Sequence, residues 1–366
     1  MTLGLGLALA AACWLVAAAV YRWLALSALD RACAATEEAA AVPPAGAAVA
    51  LRPLHGAGAR LGDALASFLA ASSTARVPVI LGVAREDDPA VAICREMLAA
   101  RPDAAAALRI GSGPPGCNRK MANLIQMSAG VDADLWLLSD ADVRVPTDLV
   151  ARLLQPFKDA EVGLVTCPYL SVPASSLASR LDALVTNTHF LPGVCMALRL
   201  EGLHFALGAA IAVRAEALAR AGGFERLLDL AADDFELARN VEQAGFRLAW
   251  SPLLVDHLLE DEGWRRILGR QLRWARVTRH SRLGGYIGQT ITHGCVPALL
   301  LGGLWLAAGG PGWSVPLAWW SLQAGALWRR RALLRLRPLD LALLPLADLL
   351  AFGVHVCGLG GRPRPS

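Results

Sequence analysis

The sequence predicts an α/β fold built on a mostly parallel sheet, with membrane segments before and after it. Three observations lead there. Short apolar runs alternate with helical patterns from residue 47 to about 256, the mark of strand–helix–strand units. One run, Leu135-Trp-Leu-Leu138, reads as a buried strand and stops abruptly at Ser139-Asp140-Ala141-Asp142. Long apolar stretches lie at residues 3–21 and again beyond 287, and the mean hydropathy of +0.44 over 366 residues is high for a soluble globular chain.

Taken in order, residues 1–30 hold a segment apolar enough to span a bilayer. Arg22 and Arg31 follow it and no basic residue precedes it, so an uncleaved anchor with its N-terminus outside is expected. That orientation places the next domain in the cytosol, at the cell inner membrane. Residues 31–46 read as a small-residue linker containing Pro43-Pro44.

The expected catalytic domain runs over 47–262. Its strands are Ala47–Leu51, Val77–Val83, Ala107–Ile110, Leu135–Leu138, Val162–Cys167 and Phe246–Trp250. Its helices are Leu61–Ala71, Ala90–Ala100, Met121–Ala129, Thr147–Gln155, Ser176–Thr186, Val213–Ala219 and Phe235–Gln243. Residues 263–286 hold a basic amphipathic helix, Trp264–Arg279, suited to the membrane interface. Residues 287–366 carry three further apolar stretches, Val296–Ala308, Val315–Leu327 and Leu339–Leu359, the first two short for a full span. The basic run Arg329–Arg337 between the last two is expected on the cytosolic side.

Charge and cysteine content exclude several function classes. The net charge of +4 is modest, and the arginines cluster beside apolar runs, so a nucleic-acid stripe is not indicated. The 8 cysteines contain no Cys-x-x-Cys pair and define neither a zinc site nor a disulfide framework.

Five local patterns carry the chemistry. Asp88, in Glu86-Asp-Asp-Pro89, follows a strand and can hold a ribose or base, although Asp-Asp-Pro is also an ordinary turn. Asn118, Lys120 and Asn123 follow the Gly111–Gly116 loop, where a lysine at a helix start suits phosphate. Lys120 is one of only two lysines in the chain. Asp140 and Asp142 at a strand end suit a hard cation, Mg²⁺ or Mn²⁺, and the diphosphate it neutralises. Asp233-Asp234 before Phe235 offers a general base, with helix N-capping as the plain alternative. Arg270, Arg273 and Trp274 lie on the amphipathic helix, permanent charges beside a flat ring.

The ordered set resembles the D, DxD, (D/E)D, (Q/R)xxRW series of inverting family-2-type glycosyltransferases. Within them it is most similar to the ceramide glucosyltransferase group and its bacterial relatives, including the hopanoid-biosynthesis enzymes. Further pieces of that resemblance are Leu51-Arg-Pro-Leu-His-Gly56, Asp87-Asp-Pro-Ala90, Asn118-x-Lys120-x-x-Asn123-Leu124 and Val162-Gly-Leu-Val165. It implies a GT-A fold and one-step transfer of a hexose from a UDP-sugar to a lipid hydroxyl. Asp88 would contact the uridine, and Asp140 and Asp142 the diphosphate and its metal. Asn118, Lys120, Asn123 and Asp233 would belong to the donor side, Asp234 would be the base, and Arg270, Arg273 and Trp274 would close the site. The chain departs from the group in carrying Asp-Asp where Glu-Asp is common, and the sequence ends at Gly361-Arg-Pro-Arg-Pro-Ser366, without the longer basic tail of bacterial relatives.

The acceptor, ceramide or a hopanoid polyol, and the donor sugar, glucose or N-acetylglucosamine, stay open at this level. A processive polysaccharide synthase shares the motif set, but the short C-terminal stretches argue against a translocation channel. A non-catalytic membrane scaffold is the third reading, disfavoured because every acidic motif position is filled. His204, His257 and His293 rank behind the five patterns as acceptor-side candidates.

Overall fold

The structure, a computed structural model, describes residues 2–34 and 47–362; the linker expected at 31–46 lies, from residue 35 on, outside the described residues. Two compact units emerge, each discontinuous in sequence. Among the described residues, one comprises 33–34, 47–170 and 200–260; the other comprises 2–32, 171–199 and 261–362.

The first unit is an α/β domain, and unlike the continuous 47–262 expected from the sequence it excludes residues 171–199, so that the strand Tyr169–Val172 straddles the boundary. Its strands are β1 (Ala48–Leu54), β2 (Val79–Val83), β3 (Ala106–Ile110), β4 (Leu135–Ser139), β5 (Val143–Arg144), β6 (Val162–Thr166), β7 (Tyr169–Val172), β8 (Ala210–Arg214), β9 (Arg247–Trp250) and β10 (Val255–Leu258). Seven of them form one sheet in the order β3-β2-β1-β4-β8-β6-β9. Its neighbours are parallel except around β8, which runs antiparallel to both β4 and β6. A small second sheet has the order β5-β10-β7.

Strict side-chain alternation loads both faces of the large sheet. Along β1, Ala50 and Leu54 point into one core while Val49 and Leu51 point into the other. Along β4, Leu135 and Leu137 join the first and Trp136 and Leu138 the second. Phe68, Leu65, Val91, Cys94, Leu149 and Leu153 cover one face from flanking helices. Met121, Leu124, Met127, Leu237 and Val241 cover the other. A sheet buried on both faces explains why its strands read as continuous apolar runs.

Four departures from the sequence reading have local causes. Val213–Ala219 is not one helix: Ala210–Arg214 is a strand, and the helix starts only at Ala215. Small residues and valine read as helical there, and pairing with β4 and β6 overrides that preference. Strands β7 and β10 are short, four residues each, and fall below the reach of periodicity. Leu191–Glu201 is helical, continuing the Leu177–Val185 helix through a widened turn at Thr186–Phe190. The Asp233–Gln243 helix is capped by Ala232 without a side-chain bond, so neither aspartate is its N-cap.

The second unit is helical. Thr2–Ala32 is a helix of 31 residues, roughly 46 Å long at 1.5 Å per residue, enough to cross the ~30 Å apolar layer of a bilayer. The basic helix spans Trp264–Ser281, and the later apolar stretches appear as Cys295–Ala307, Ser314–Trp328 and Leu344–Gly358. Among the described residues, the N-terminal helix alone is long and apolar enough to cross a membrane unaided. Leu283–Thr292 and Cys295–Ala307 reach that length only as a pair bent by 42°. About three C-terminal spans, the number expected from the sequence, are therefore not established.

Gly82 in β2 marks the tightest helix-on-sheet approach near the site. A Cβ there would stand 2.1 Å from Met127 Sδ and 2.7 Å from Asn123 Oδ1. Gly82→Ala should therefore lower stability by about 1–3 kcal/mol through overpacking, read as a fall in Tm of the purified protein. An unchanged Tm would contradict this packing.

Candidate functional site

The carboxyl ends of parallel strands β1, β2 and β4 share one edge of the sheet, and the loops leaving them carry His55, Asp88 and Asp140. Because β8 runs the other way, it is its beginning that reaches this edge, with Ala210 paired to Ser139. Gly208 and Ala209 thus lie beside Asp140, and the Asp140 N–H donates to the Ala209 carbonyl at 3.3 Å. The Ser139 hydroxyl donates to the same carbonyl at 3.0 Å.

Lys120 is the centre of the site. Its Nζ lies 2.5 Å from Asp140 Oδ1 and 3.5 Å from Asp233 Oδ2. Burial disfavours the ammonium, but Asp140, Asp233 and Asp234 outweigh it and hold the lysine charged well above its ordinary range. Asp234 receives the Gly208 N–H at 2.9 Å on Oδ2 and the Phe235 N–H at 2.8 Å on Oδ1. Burial, then the neighbouring Asp233, push its proton affinity up to about 6 against the opposing pull of Lys120. Asp140 is raised too, by burial and by Asp142. Gly208 allows this convergence: a Cβ there would stand 3.3 Å from Asp234 Oδ2 and 3.5 Å from both Asp140 Oδ2 and Lys120 Nζ.

Asp142 faces His257, with Oδ2 3.3 Å from Nε2. Burial raises its proton affinity, but His257 more than offsets this and Asp142 stays below the usual carboxylate range. Register explains the meeting, since His257 on β10 pairs with Val143 on β5, one residue beyond Asp142. Tyr169 holds the imidazole edge-on, with ring centroids 5.7 Å apart.

Two carboxylates and an imidazole form a mixed oxygen–nitrogen donor set that fits the divalent cation implied by the DxD pattern. The Asp142 side chain remains 53% exposed and can turn to a ligand. The Lys120 ammonium against Asp140 shows that positive charge is stabilised at this place.

The remaining donor-side candidates are anchors in this structure. Asp88 Oδ1 accepts from the Gly56 and Ala90 N–H groups at 2.8 and 2.9 Å, and Oδ2 lies 2.6 Å from His55 Nδ1. Burial raises its proton affinity, and these donors more than reverse the effect. Asn118 caps the Arg119–Ser128 helix through Met121 N–H and donates to the Leu230 carbonyl, tying that helix start to the loop before Asp233. Asn123 donates to the Gly82 carbonyl, linking the same helix to β2.

One contributor escaped the sequence reading, and another was expected on the acceptor side but lies beside Asp142. Arg52 is fully buried in β1, stacked 4.7 Å from the Phe68 ring, and donates from Nη2 to the Ala141 and Val143 carbonyls at 3.1 and 2.6 Å. It therefore grips the Asp140–Asp142 loop from beneath. Burial lowers its pKa to about 10, opposed by Asp142 and Asp140. An arginine inside an otherwise apolar strand was the available signal. His257 is the second, and only strand pairing distinguishes it from other histidines. His204, by contrast, pairs with Glu242 at 2.8 Å and is largely exposed.

Arg270, Arg273 and Trp274 belong to the helical unit. There Arg270 binds Asp182 at 2.5 Å and also Glu262, while Gln271 donates to Asp182. The Arg270 guanidinium stands 5.9 Å from the Trp274 ring. Arg270 is thus committed to a buried carboxylate inside its own unit.

Comparison with known proteins shows the family and the fold. The model of a family described as Glycosyl transferase family 21 matches residues 9–362. The mannosyltransferase PcManGT from Pyrobaculum calidifontis, solved with GDP-Man and Mn²⁺, is similar in structure with a TM-score of 0.54 at 16% identity. That similarity covers 97% of this chain and 98% of the other, and at this identity it speaks for a shared fold. Glucosyl-3-phosphoglycerate synthase of M. tuberculosis matches more distantly, with a TM-score of 0.41 and 15% identity over 70% of this chain and 84% of that one.

Arg52→Met should keep the bulk in β1 but free the Ala141 and Val143 carbonyls. Mn²⁺ affinity, followed by the EPR signal of the free ion, should fall about 10–100-fold, as for other groups that orient metal ligands. Unchanged affinity would remove Arg52 from this role.

Proposed function

The chain belongs to glycosyl transferase family 21 and is a hexosyltransferase, and from that premise we propose that it is a membrane-bound inverting enzyme moving one hexose from a UDP-sugar to a lipid hydroxyl. The observation that carries this reading is the convergence of Lys120, Asp140 and Asp234 on Gly208 at the strand ends. One side of the cluster suits an anionic leaving group, and the other presents a carboxylate with raised proton affinity. Paired environments of this kind separate charge stabilisation from proton transfer.

In this reading Asp234 takes the proton of the acceptor hydroxyl as that oxygen attacks the anomeric carbon. The Gly208 N–H bond to Oδ2 and the Phe235 N–H bond to Oδ1 fix the carboxylate for a single transfer geometry. Lys120 supplies positive charge towards the departing diphosphate without an orientation cost, since its ammonium is already held. A divalent cation held by Asp140 and Asp142, with His257 beside them, would neutralise the diphosphate when bound. Asp88, Asn118 and Asn123 keep the donor-side loops in place. Arg273 and Trp274 enter on the family motif, with Arg270 anchoring their helix to Asp182 and Glu262.

The long N-terminal helix supports a membrane location, and Arg22 and Arg31 at its far end favour a cytosolic catalytic domain. A lipid acceptor follows from that location together with the basic Trp264–Ser281 helix. The ceramide-type acceptor with UDP-glucose is our first choice, and a hopanoid polyol with UDP-N-acetylglucosamine is the runner-up. Transfer of radiolabel from UDP-sugar into extractable lipid by membranes carrying the protein tests the reading. Label found only in polymer or only in free sugar would overturn it.

Asp234→Asn should lower kcat by about 10²–10⁴-fold while UDP binding persists, measured by turnover and by equilibrium binding of UDP. Turnover like that of the wild type would remove Asp234 from the base role. Its raised proton affinity also sets a pH dependence. The carboxylate form is the active one, so kcat/KM should fall as pH drops through about 6, not through the ordinary range near 4. A flat profile between pH 5 and 7 would count against the assignment.

A further inference from the structure

Within the helical unit, three side chains far apart in sequence and unused by the transfer chemistry meet in the interior. His189 lies in the widened turn Thr186–Phe190, His293 at the break before the Cys295–Ala307 helix, and Asp348 on the Leu344–Gly358 helix. One ligand atom from each falls within 4.8 Å of the others. His293 Nδ1 is 3.4 Å and His189 Nε2 3.9 Å from Asp348 Oδ1. Asp348 is 1% and His293 4% exposed, so water does not satisfy them freely.

The hydrogen bonding here is incomplete in a specific way. Asp348 Oδ2 accepts the Cys295 N–H at 2.9 Å, which orients the carboxylate, while Oδ1 has no hydrogen-bond partner. Neither ring nitrogen of His293 has one, nor does His189 Nδ1. Buried polar atoms are normally satisfied, and an unsatisfied Asp348 Oδ1 only 3.4 Å from an unsatisfied His293 Nδ1 leaves a place for a bridging cation. His355, whose ring centroid is 5.3 Å from that of His293, is spoken for through Nε2, 3.0 Å from Thr290 Oγ1. The backbone at His293 is held in place: a Cβ on Gly294 would stand 2.1 Å from the Trp319 ring.

We propose that His189, His293 and Asp348 form a zinc site that ties these three segments together. Zinc bonds of about 2.0–2.1 Å in a tetrahedron put neighbouring ligands about 3.3–3.4 Å apart; His293 and Asp348 already stand at 3.4 Å, and His189, 3.9 Å from Asp348, needs only a small side-chain shift. Two imidazoles and one carboxylate suit zinc among available divalent ions, and the bond from Cys295 to Oδ2 is the outer support such ligands need. Three protein ligands leave a fourth position for water. The competing counter-charge is Arg22, a buried guanidinium that feels Asp348 and donates to the Thr188 carbonyl. With Arg22 as sole counter-charge, the cluster would take no metal.

The site is independent of the transferase reading, and the test keeps them apart. Full-length protein in detergent, carrying Asp140→Asn and Asp142→Asn to remove the other divalent site, is stripped with EDTA, loaded with zinc and desalted. Elemental analysis should find about one zinc per chain, the stoichiometry of a single site. Adding His293→Gln and Asp348→Asn should bring it to background. Should that variant fail to fold, Co²⁺ in the parent protein decides: intense visible bands of a four-coordinate ion are expected, with a higher Tm than the stripped form. No retained zinc, zinc retained equally by the ligand variant, or a weak six-coordinate cobalt spectrum would each overturn the site.

Discussion

One ammonium holds the catalytic edge together. Lys120 meets Asp140 directly and Asp233 across a longer gap, and it is the nearest compensation for Asp234 as well. Three carboxylates and their neighbour Asp142 could not share this space without it, since like charges so close drive one another towards protonation. In the proposed transfer, the same lysine that balances the acids in the resting protein would carry the charge a departing diphosphate requires. Stability of the site and its use are therefore the same interaction, and the rest of the domain serves to bring its partners within reach.

Topology does that work with economy. Parallel β1, β2 and β4 deliver their carboxyl ends, and with them His55, Asp88 and Asp140, to one edge. The single reversed strand, β8, then supplies its amino end, and with it the bare backbone of Gly208, to the same edge. A parallel strand at that place would bring its own carboxyl end and no such N–H. Beneath the loop, Arg52 uses a fully buried guanidinium to hold two carbonyls, so the spacing of Asp140 and Asp142 is set by the core. The two aspartates are consequently presented to solvent from a rigid floor.

Much of this was legible in the sequence, and the reasons are physical. Strands buried on both faces advertise themselves as apolar runs, so β1, β2, β4 and β6 were found within a few residues of their true ends. Asp140 and Asp142 were legible because acids directly after such a run stand out, and Asp234 because a pair of acids opens a helix. Lys120 was legible through rarity and a glycine-rich approach. What failed depends on long-range pairing. Ala210–Arg214 has a local preference for helix, and only β4 and β6 make it a strand. His257 reaches Asp142 through a ladder between two-residue and four-residue strands that leave no periodic trace. Asp88, Asn118 and Asn123 were flagged correctly as unusual, yet the signal for a binding residue and for a buried anchor is the same, a polar side chain where apolar ones are expected.

That ambiguity bears on how the two units divide their labour. In the α/β unit, polar side chains that look functional resolve into a carboxylate–lysine cluster and a set of anchors that tie loops and helices to the sheet. Asp88 and Asn118 have each found donors or acceptors within the fold. In the helical unit Arg270 follows the anchor pattern, with Asp182 and Glu262 taking up its charge. His189, His293 and Asp348 are as deeply placed as any anchor and leave several polar atoms unsatisfied. Arg52, Asn123 and Arg270 also keep unsatisfied buried atoms, so what sets the His189, His293 and Asp348 cluster apart is that one ligand atom from each meets within 4.8 Å. Asp234, by contrast, is fully bonded, with two backbone N–H groups on its carboxylate and a raised proton affinity, and in the proposed transfer it is the group that receives the proton.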